Sequence, residues 1–185
     1  MQEAIIKGII YGISVFIGII AGIGVTIGVD FFKERKQNIH DKNNLIFEID
    51  CDLSKIKTWF DMINELKNYI NSDRINQFNG YFDFSSTIFV TANRLFQNGK
   101  LYDYLSNDGI KKIQENGTYL SIAGENAFSN QIFQHKQAML NSYQNVKQAA
   151  ANDVDSWEKI LQKCKNNFED ILKELKKESK KELKK

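Results

Sequence analysis

The chain has 185 residues, 42% of them hydrophobic and 26% charged, with a formal net charge of +2. That length suits one membrane segment plus one soluble domain with a modest core; the absence of any proline, where average usage gives about nine, argues against loop-rich β architectures. Residues 43–150 carry ten basic and eleven acidic side chains, and a body so close to neutral excludes wrapping of long nucleic acid, which needs a continuous basic surface.

The first segment to read is 8–29, which is 22 residues without a charge, about 33 Å as a helix and so matched to a bilayer core. A cleavable signal peptide fits less well. The apolar stretch is long, the leader 1–7 contains Glu3, and basic residues follow at once. Lys33, Arg35 and Lys36 beyond the span, against Lys7 before it, place the C-terminal part in the cytoplasm of a single-pass protein of the inner membrane.

Glycine recurs through this span. At about 100° per residue, Gly8, Gly12, Gly18 and Gly22 fall on one face, and Gly24 and Gly28 on the opposite face. Small residues let helix backbones approach closely in lipid. Two such faces predict that each helix touches two neighbours, a homo-oligomer of more than two copies closed as a ring, unless the glycines reflect only the general frequency of Gly in membrane helices. The spacing does not match a nucleotide-binding glycine loop.

Residues 1–36 are thus read as an anchor with a basic flank, 37–44 as a polar hinge, and 45–185 as a cytoplasmic helical bundle. From Leu45 to Cys51 the apolar residues first alternate like a strand, but Ile46, Ile49, Leu53, Ile56, Phe60, Ile63 and Ile70 follow three–four spacing for longer, and the helix reading prevails. The stretch 85–97 is read as a helix stopped by Asn98-Gly99, with Asn116-Gly117 as another break. A long helix is expected from about Thr118 to Ala150, with Ile122, Phe128, Ile132, Met139, Tyr143 and Val146 inward. The last seam, Val154, Trp157, Leu161, Cys164, Phe168, Ile171 and Leu175, is a heptad pattern. The fold class is therefore all-α: a single N-terminal transmembrane helix followed by a cytoplasmic bundle.

Chemistry-bearing residues are sparse. Cys51 and Cys164 lack metal-ligand spacing, and His40 and His135 are far apart, so no metal site, cofactor or enzymatic machinery is expected. The Asp50/Asp52 and Asp153/Asp155 pairs read as helix-start caps. The segment 72–87 is the longest non-helical stretch expected in the soluble part, and long loops in compact domains are often functional. The chain has 22 Lys but three Arg, and Arg74 and Arg94 flank this loop; the planar guanidinium suits phosphate. Tyr81 and Phe82 offer faces for a base, with Asn79, Ser85 and Ser86 as polar contacts. The alternative keeps the same residues structural: Arg74 closing one helix, Phe82 and Phe84 plugging the bundle, and Asp83 or Ser85 opening the next helix. In the Lys/Glu tail, ion pairs at i,i+3 read as a solvated helix end or as a contact with anionic lipid.

A membrane helix, a basic flank and a small cytoplasmic helical domain of this size, in a composition rich in Asn, Lys and Ile that points to an AT-rich bacterial genome, resemble the small membrane effectors of bacterial antiviral signalling. The layout resembles especially the effectors of type III CRISPR systems that bind cyclic oligoadenylate. The resemblance implies a tetramer-like assembly, a cyclic nucleotide ligand and an output at the lipid bilayer. A non-enzymatic membrane scaffold, docking a protein partner through its helical seams, is the runner-up class; a small holin-like or toxin protein, for which a sizeable soluble bundle is unusual, is a third.

Overall fold

The computed structural model describes residues 2–141 and 145–182, with side chains for 25–141 and 145–177. All regular structure among the described residues is helical: α1 (Gln2–Asn71), α2 (Val90–Gln97), α3 (Leu101–Tyr104), α4 (Asn107–Tyr119), α5 (Ile122–Leu140) and α6 (Val146–Glu182), with two short 3-10 turns at Ile75–Gln77 and Phe84–Ser86. The chain divides into two compact units, Met1–Asp41 and Lys42–Lys185. The segment 37–44, read as a hinge, is helical throughout, and the division falls inside it.

In the first unit, Val25, Ile27, Val29, Phe31 and Phe32 are exposed, and Phe31 and Phe32 meet edge to face at 6.2 Å. Among the described residues no helix is long and apolar enough to cross a membrane. Most of the 8–29 span lies outside the residues whose side chains are described, and with it the packing faces assigned to Gly8, Gly12, Gly18, Gly22 and Gly24. At Gly28, a Cβ would meet nothing within 4 Å.

The second unit is built on two heptad seams. In α1 the buried seam runs through Leu45, Ile49, Asp52, Ile56, Trp59, Ile63, Leu66 and Ile70, an unbroken alternation of four and three, with Lys42 and Glu48 buried as well. It differs in part from the expected stripe: Ile46, Leu53 and Phe60 pack only partly against the core, because Leu45, Trp59 and Leu66 complete the narrower seam. The α6 seam is buried at every expected position from Val154 to Leu175. Lys67 pairs with Asp155 and Glu158, and Lys147 donates to the Asn71 carbonyl, which sets α1 and α6 antiparallel.

α4 and α5 lie end to end along α6, both antiparallel to it. Lys112 pairs with Asp170, Asn116 Nδ2 donates to the Cys164 carbonyl at 3.0 Å, Trp157 Nε1 donates to Gln131, and His135 meets Asp153 at 2.8 Å. Two sequence-based expectations fail here. Asn116-Gly117 does not break a helix; Asn116 is buried mid-helix, where its amide binds α6 and accepts from Asn167. The break falls instead at Leu120–Ser121, so the helix expected from Thr118 to Ala150 is α5 and the start of α6. Ser121 Oγ caps the first turn of α5 through Gly124 N, and Gly124 is required there because a Cβ would lie 2.0 Å from the Tyr119 carbonyl oxygen. Ile122, expected inward, is exposed on that turn. The stop after α2 is where it was expected, with Gly99 at φ +78°.

The fourth rod of this bundle is not a helix. From Tyr69 the chain reverses, and residues 74–89 run back along α1 as a strap, extended apart from its two 3-10 turns, up to the first turn of α2. Phe78 meets Tyr69, Phe84 meets Trp59, Lys55 binds the Ser86 carbonyl, and the Ile88 and Thr91 amides reach Asp52 and Glu48. Its side chains explain why it does not coil: Ser86 Oγ bonds the Asp83 carbonyl and Thr87 Oγ1 the Phe84 carbonyl, local contacts that compete with helical bonds.

Candidate functional site

An extended strap with no neighbouring strand leaves its backbone polar groups without a ladder, and buried ones must be paired. Charged side chains from the helices do this. Carboxylates take the amides: Asp52 accepts from Ile88 N at 2.9 Å, Glu48 from Thr91 N at 2.6 Å and Ala92 N at 3.3 Å, and Glu125 from Ser85 N at 2.9 Å. Ammonium groups take the carbonyls: Lys55 binds Ser86 O and Lys136 binds Phe78 O. Glu48 thereby caps the first turn of α2 from outside, where Phe89 at the N-cap offers no side-chain bond. Glu174 does the same for Ser106 N, 2.5 Å away at the start of α4.

These acids correct an earlier expectation. Asp50 and Asp52 do not stand at a helix start, nor do Asp153 and Asp155; all lie inside α1 or α6. Asp52 serves the strap, while Asp153 and Asp155 pair with His135 and Lys67. Burial pushes the Asp52 carboxyl up to about 6, against the lowering effects of the Ile88 amide and of Lys55, with Glu48 adding to the rise. The folded protein thus holds this proton more tightly than the unfolded chain. Its contribution to stability is full below about pH 4 and is lost as pH rises through about 6. Asp52→Asn removes the titration and keeps an acceptor. Relative to this variant, the native protein is expected to lose about 2 kcal/mol between pH 4 and pH 7.5, measured by urea unfolding; parallel stability curves would refute the assignment.

The six residues expected to bind a ligand do not converge. Arg74 is exposed beside the end of α1, its Nε donating to Ser72 Oγ and its amide to Tyr69 O. Arg94 is exposed on α2, whose first turn sits at Glu48. Counted along α1 from Tyr69 to Glu48, the two arginines are roughly 30 Å apart. Asn79 is exposed on the strap. Tyr81, also exposed, donates its hydroxyl to Glu125, and Ser85 and Ser86 bond to Asp83. Glu125 is raised by burial, but the bonds from Tyr81 and Ser85 outweigh this and hold it below the usual carboxylate range. The Tyr81–Ser85 corner is therefore acidic, with its hydroxyl and amide donors already engaged.

The buried aromatics of the strap are structural. Phe82 and Phe84 lie within 4.7–6.0 Å of Phe128, and Phe84 also meets Trp59 at 4.9 Å and Trp157 at 5.7 Å. Cys164 is likewise packing: burial pushes its thiol up to about 12, so the reactive thiolate is absent at physiological pH.

What the residues had not pointed to is an open cavity of about 400 Å³ between α2 and α4. Phe89, Phe96, Leu101, Ile110 and Ile113 give it an apolar wall, and Asn93, Gln114 and Thr118 supply amide and hydroxyl groups. Gly117 lines it too, and a Cβ there would meet nothing within 4 Å. Arg94 is one residue on from Asn93, which turns it about 100° away around the helix. The signal available in the sequence was the apolar set Phe89, Ala92 and Phe96, spaced by three and four on a short helix with little else to pack against.

The chain matches no family model, no curated protein and no solved structure.

Proposed function

We propose that the chain is an oligomeric, single-pass membrane effector that acts by binding, taking a nucleotide-like ligand into its cytoplasmic bundle and passing that event to the membrane. The observation that carries the anchor is the exposure of Val25, Ile27, Val29, Phe31 and Phe32, 45–70% each, immediately before Lys33, Arg35 and Lys36. Apolar side chains exposed around a helix belong in lipid rather than water, and aromatic then basic residues form the sequence of a helix leaving a bilayer on its cytoplasmic side. The open space at Gly28 leaves room for a neighbouring helix.

Ligand uptake is supported by the α2–α4 cavity, whose volume falls in the small-molecule range and whose apolar wall and few polar groups suit a flat heteroaromatic body. A protein partner is the second reading, favoured by Val90, Phe96 and Tyr102, which are 71%, 41% and 55% exposed around the same region.

Three measurements test this on the full chain. Alkaline carbonate should leave it in the membrane, and release into the supernatant would remove the anchor. Gly28→Leu should shorten the ladder of crosslinked copies in membranes; an unchanged ladder would make that glycine incidental. In detergent, a nucleotide at a hundredfold excess over Kd should stabilise the bundle by about 2.7 kcal/mol, and Gly117→Leu, which fills the cavity, should abolish the shift. Loss with Arg74→Gln instead would put the ligand on the strap. No shift with any nucleotide would leave the cavity to the protein-partner reading.

A further inference from the structure

We propose that the outward face of α5 is a self-pairing surface, on which a second copy of this chain docks antiparallel through Ile122, Phe133 and Leu140. The inference rests on the oligomeric reading above and concerns the bundle alone.

The three side chains are 68%, 59% and 61% exposed. Their spacings of eleven and seven keep them within about 20° of one another around the helix, in one stripe about 27 Å long. Phe128 and Ile132, the core side of α5, lie roughly 90–130° away around the helix, so packing within the bundle does not call for the stripe. Asn126, Ser129 and Lys136 fill the four–three steps between the large residues, which completes a short heptad seam. The ammonium of Lys136 is turned to the Phe78 carbonyl, leaving its apolar stem on the seam.

Charge decides what covers this face. Every exposed position of α5 is uncharged, whereas eight of the fourteen exposed positions described on α6 are Lys or Asp. The titratable groups of α5 are all engaged inside the bundle: Glu125 with Tyr81 and Ser85, His135 with Asp153, and Lys136 with the strap. In a twofold pairing the same patch lies on both sides, so an exposed charge near the axis meets its own sign. The face of α5 offers none. Size is self-complementary as well. With Ile122 opposite Leu140 of the second copy, Phe133 falls opposite Ser129, large against small, in the pairing of antiparallel heptads. A contact one helix wide and about 27 Å long stands at the small end of specific interfaces. It forms reversibly between free copies and more fully between copies already held in one assembly.

The test uses the full chain in mild detergent, in a Cys51→Ser background with Cys164 left buried. Asn126→Cys and Gln137→Cys, both at exposed positions, flank the stripe on one side, and antiparallel pairing brings each level with the other in the second copy. Carried together they should give a dimer with a short thiol crosslinker. Within one chain the two thiols are about 16 Å apart, too far to react with each other. Either substitution alone should give at least tenfold less dimer, because its own copy stands about 15–18 Å away along the axis. Adding Phe133→Lys should lower the dimer yield about tenfold or more and leave the urea midpoint in place, and Leu140→Lys should act alike. Equal crosslinking by the single variants overturns the antiparallel stripe, as does a yield that both lysine substitutions leave unchanged. Absence of the 126–137 dimer, with copies still joined by a lysine-reactive reagent, overturns the stripe and leaves the oligomeric reading intact. Monomers under both reagents overturn the two together.

Discussion

Phe84→Ala is expected to destabilise the bundle by about 3–5 kcal/mol, the largest effect of any single truncation in the strap. The ring is fully buried and touches Trp59, Phe82, Phe128 and Trp157, so it joins α1, the strap, α5 and α6 at one point. The carbonyl of the same residue accepts from Thr87 Oγ1. Collapse around the cavity is limited, because the neighbours belong to three separate helices that would each have to move. Urea unfolding of the variant gives the number directly. A loss below about 1.5 kcal/mol would mean that the aromatic cluster repacks and that the strap is not the fourth rod of the core. Asn79→Ala, at an exposed position of the same strap, is the matched control and should change little.

Glu48→Ala should cost about 2–3 kcal/mol and should act on one element first. The carboxylate is buried and holds the amides of Thr91 and Ala92; without it two donors at the start of α2 have no partner, and no side-chain cap stands in reserve. Hydrogen exchange should therefore show amides 91–97 losing protection well before those of α6. Uniform loss across the bundle would mean that Glu48 matters for packing only. Glu48→Gln, which keeps one acceptor oxygen, should retain about half of the stabilisation.

How much of this was legible in the sequence differs by element. The α6 seam could be read residue by residue, because seven apolar positions repeat on a heptad with nothing to interrupt them. The α1 seam was harder, since Asp52 occupies one of its core positions and a search for apolar spacing slides to Leu53. The α4–α5 break was hidden because Asn116-Gly117 looks like a stop, while the actual stop depends on Ser121 as cap and on the crowding at Gly124, which only coordinates reveal. The strap was recognisable as non-helical. That its amides and carbonyls are met by Asp52, Glu48, Glu125, Lys55 and Lys136 was not, as partners tens of residues away leave no local pattern. Arg74 and Arg94 stand close in sequence to one loop, yet an extended chain of that length carries them to opposite ends of the bundle.

The extended strap also bears on how long the folded protein lasts. Its ties close loops of 31 residues, from Lys55 to Ser86, up to 58, from Phe78 to Lys136, and each waits on helices that make their own backbone bonds. Chain entropy must be given up before such contacts return anything, which puts the strap among the last parts to order and the first to peel away. Changes there act mainly on the rate of unfolding and little on the rate of folding, so the strap governs the lifetime of the native state more than the route to it.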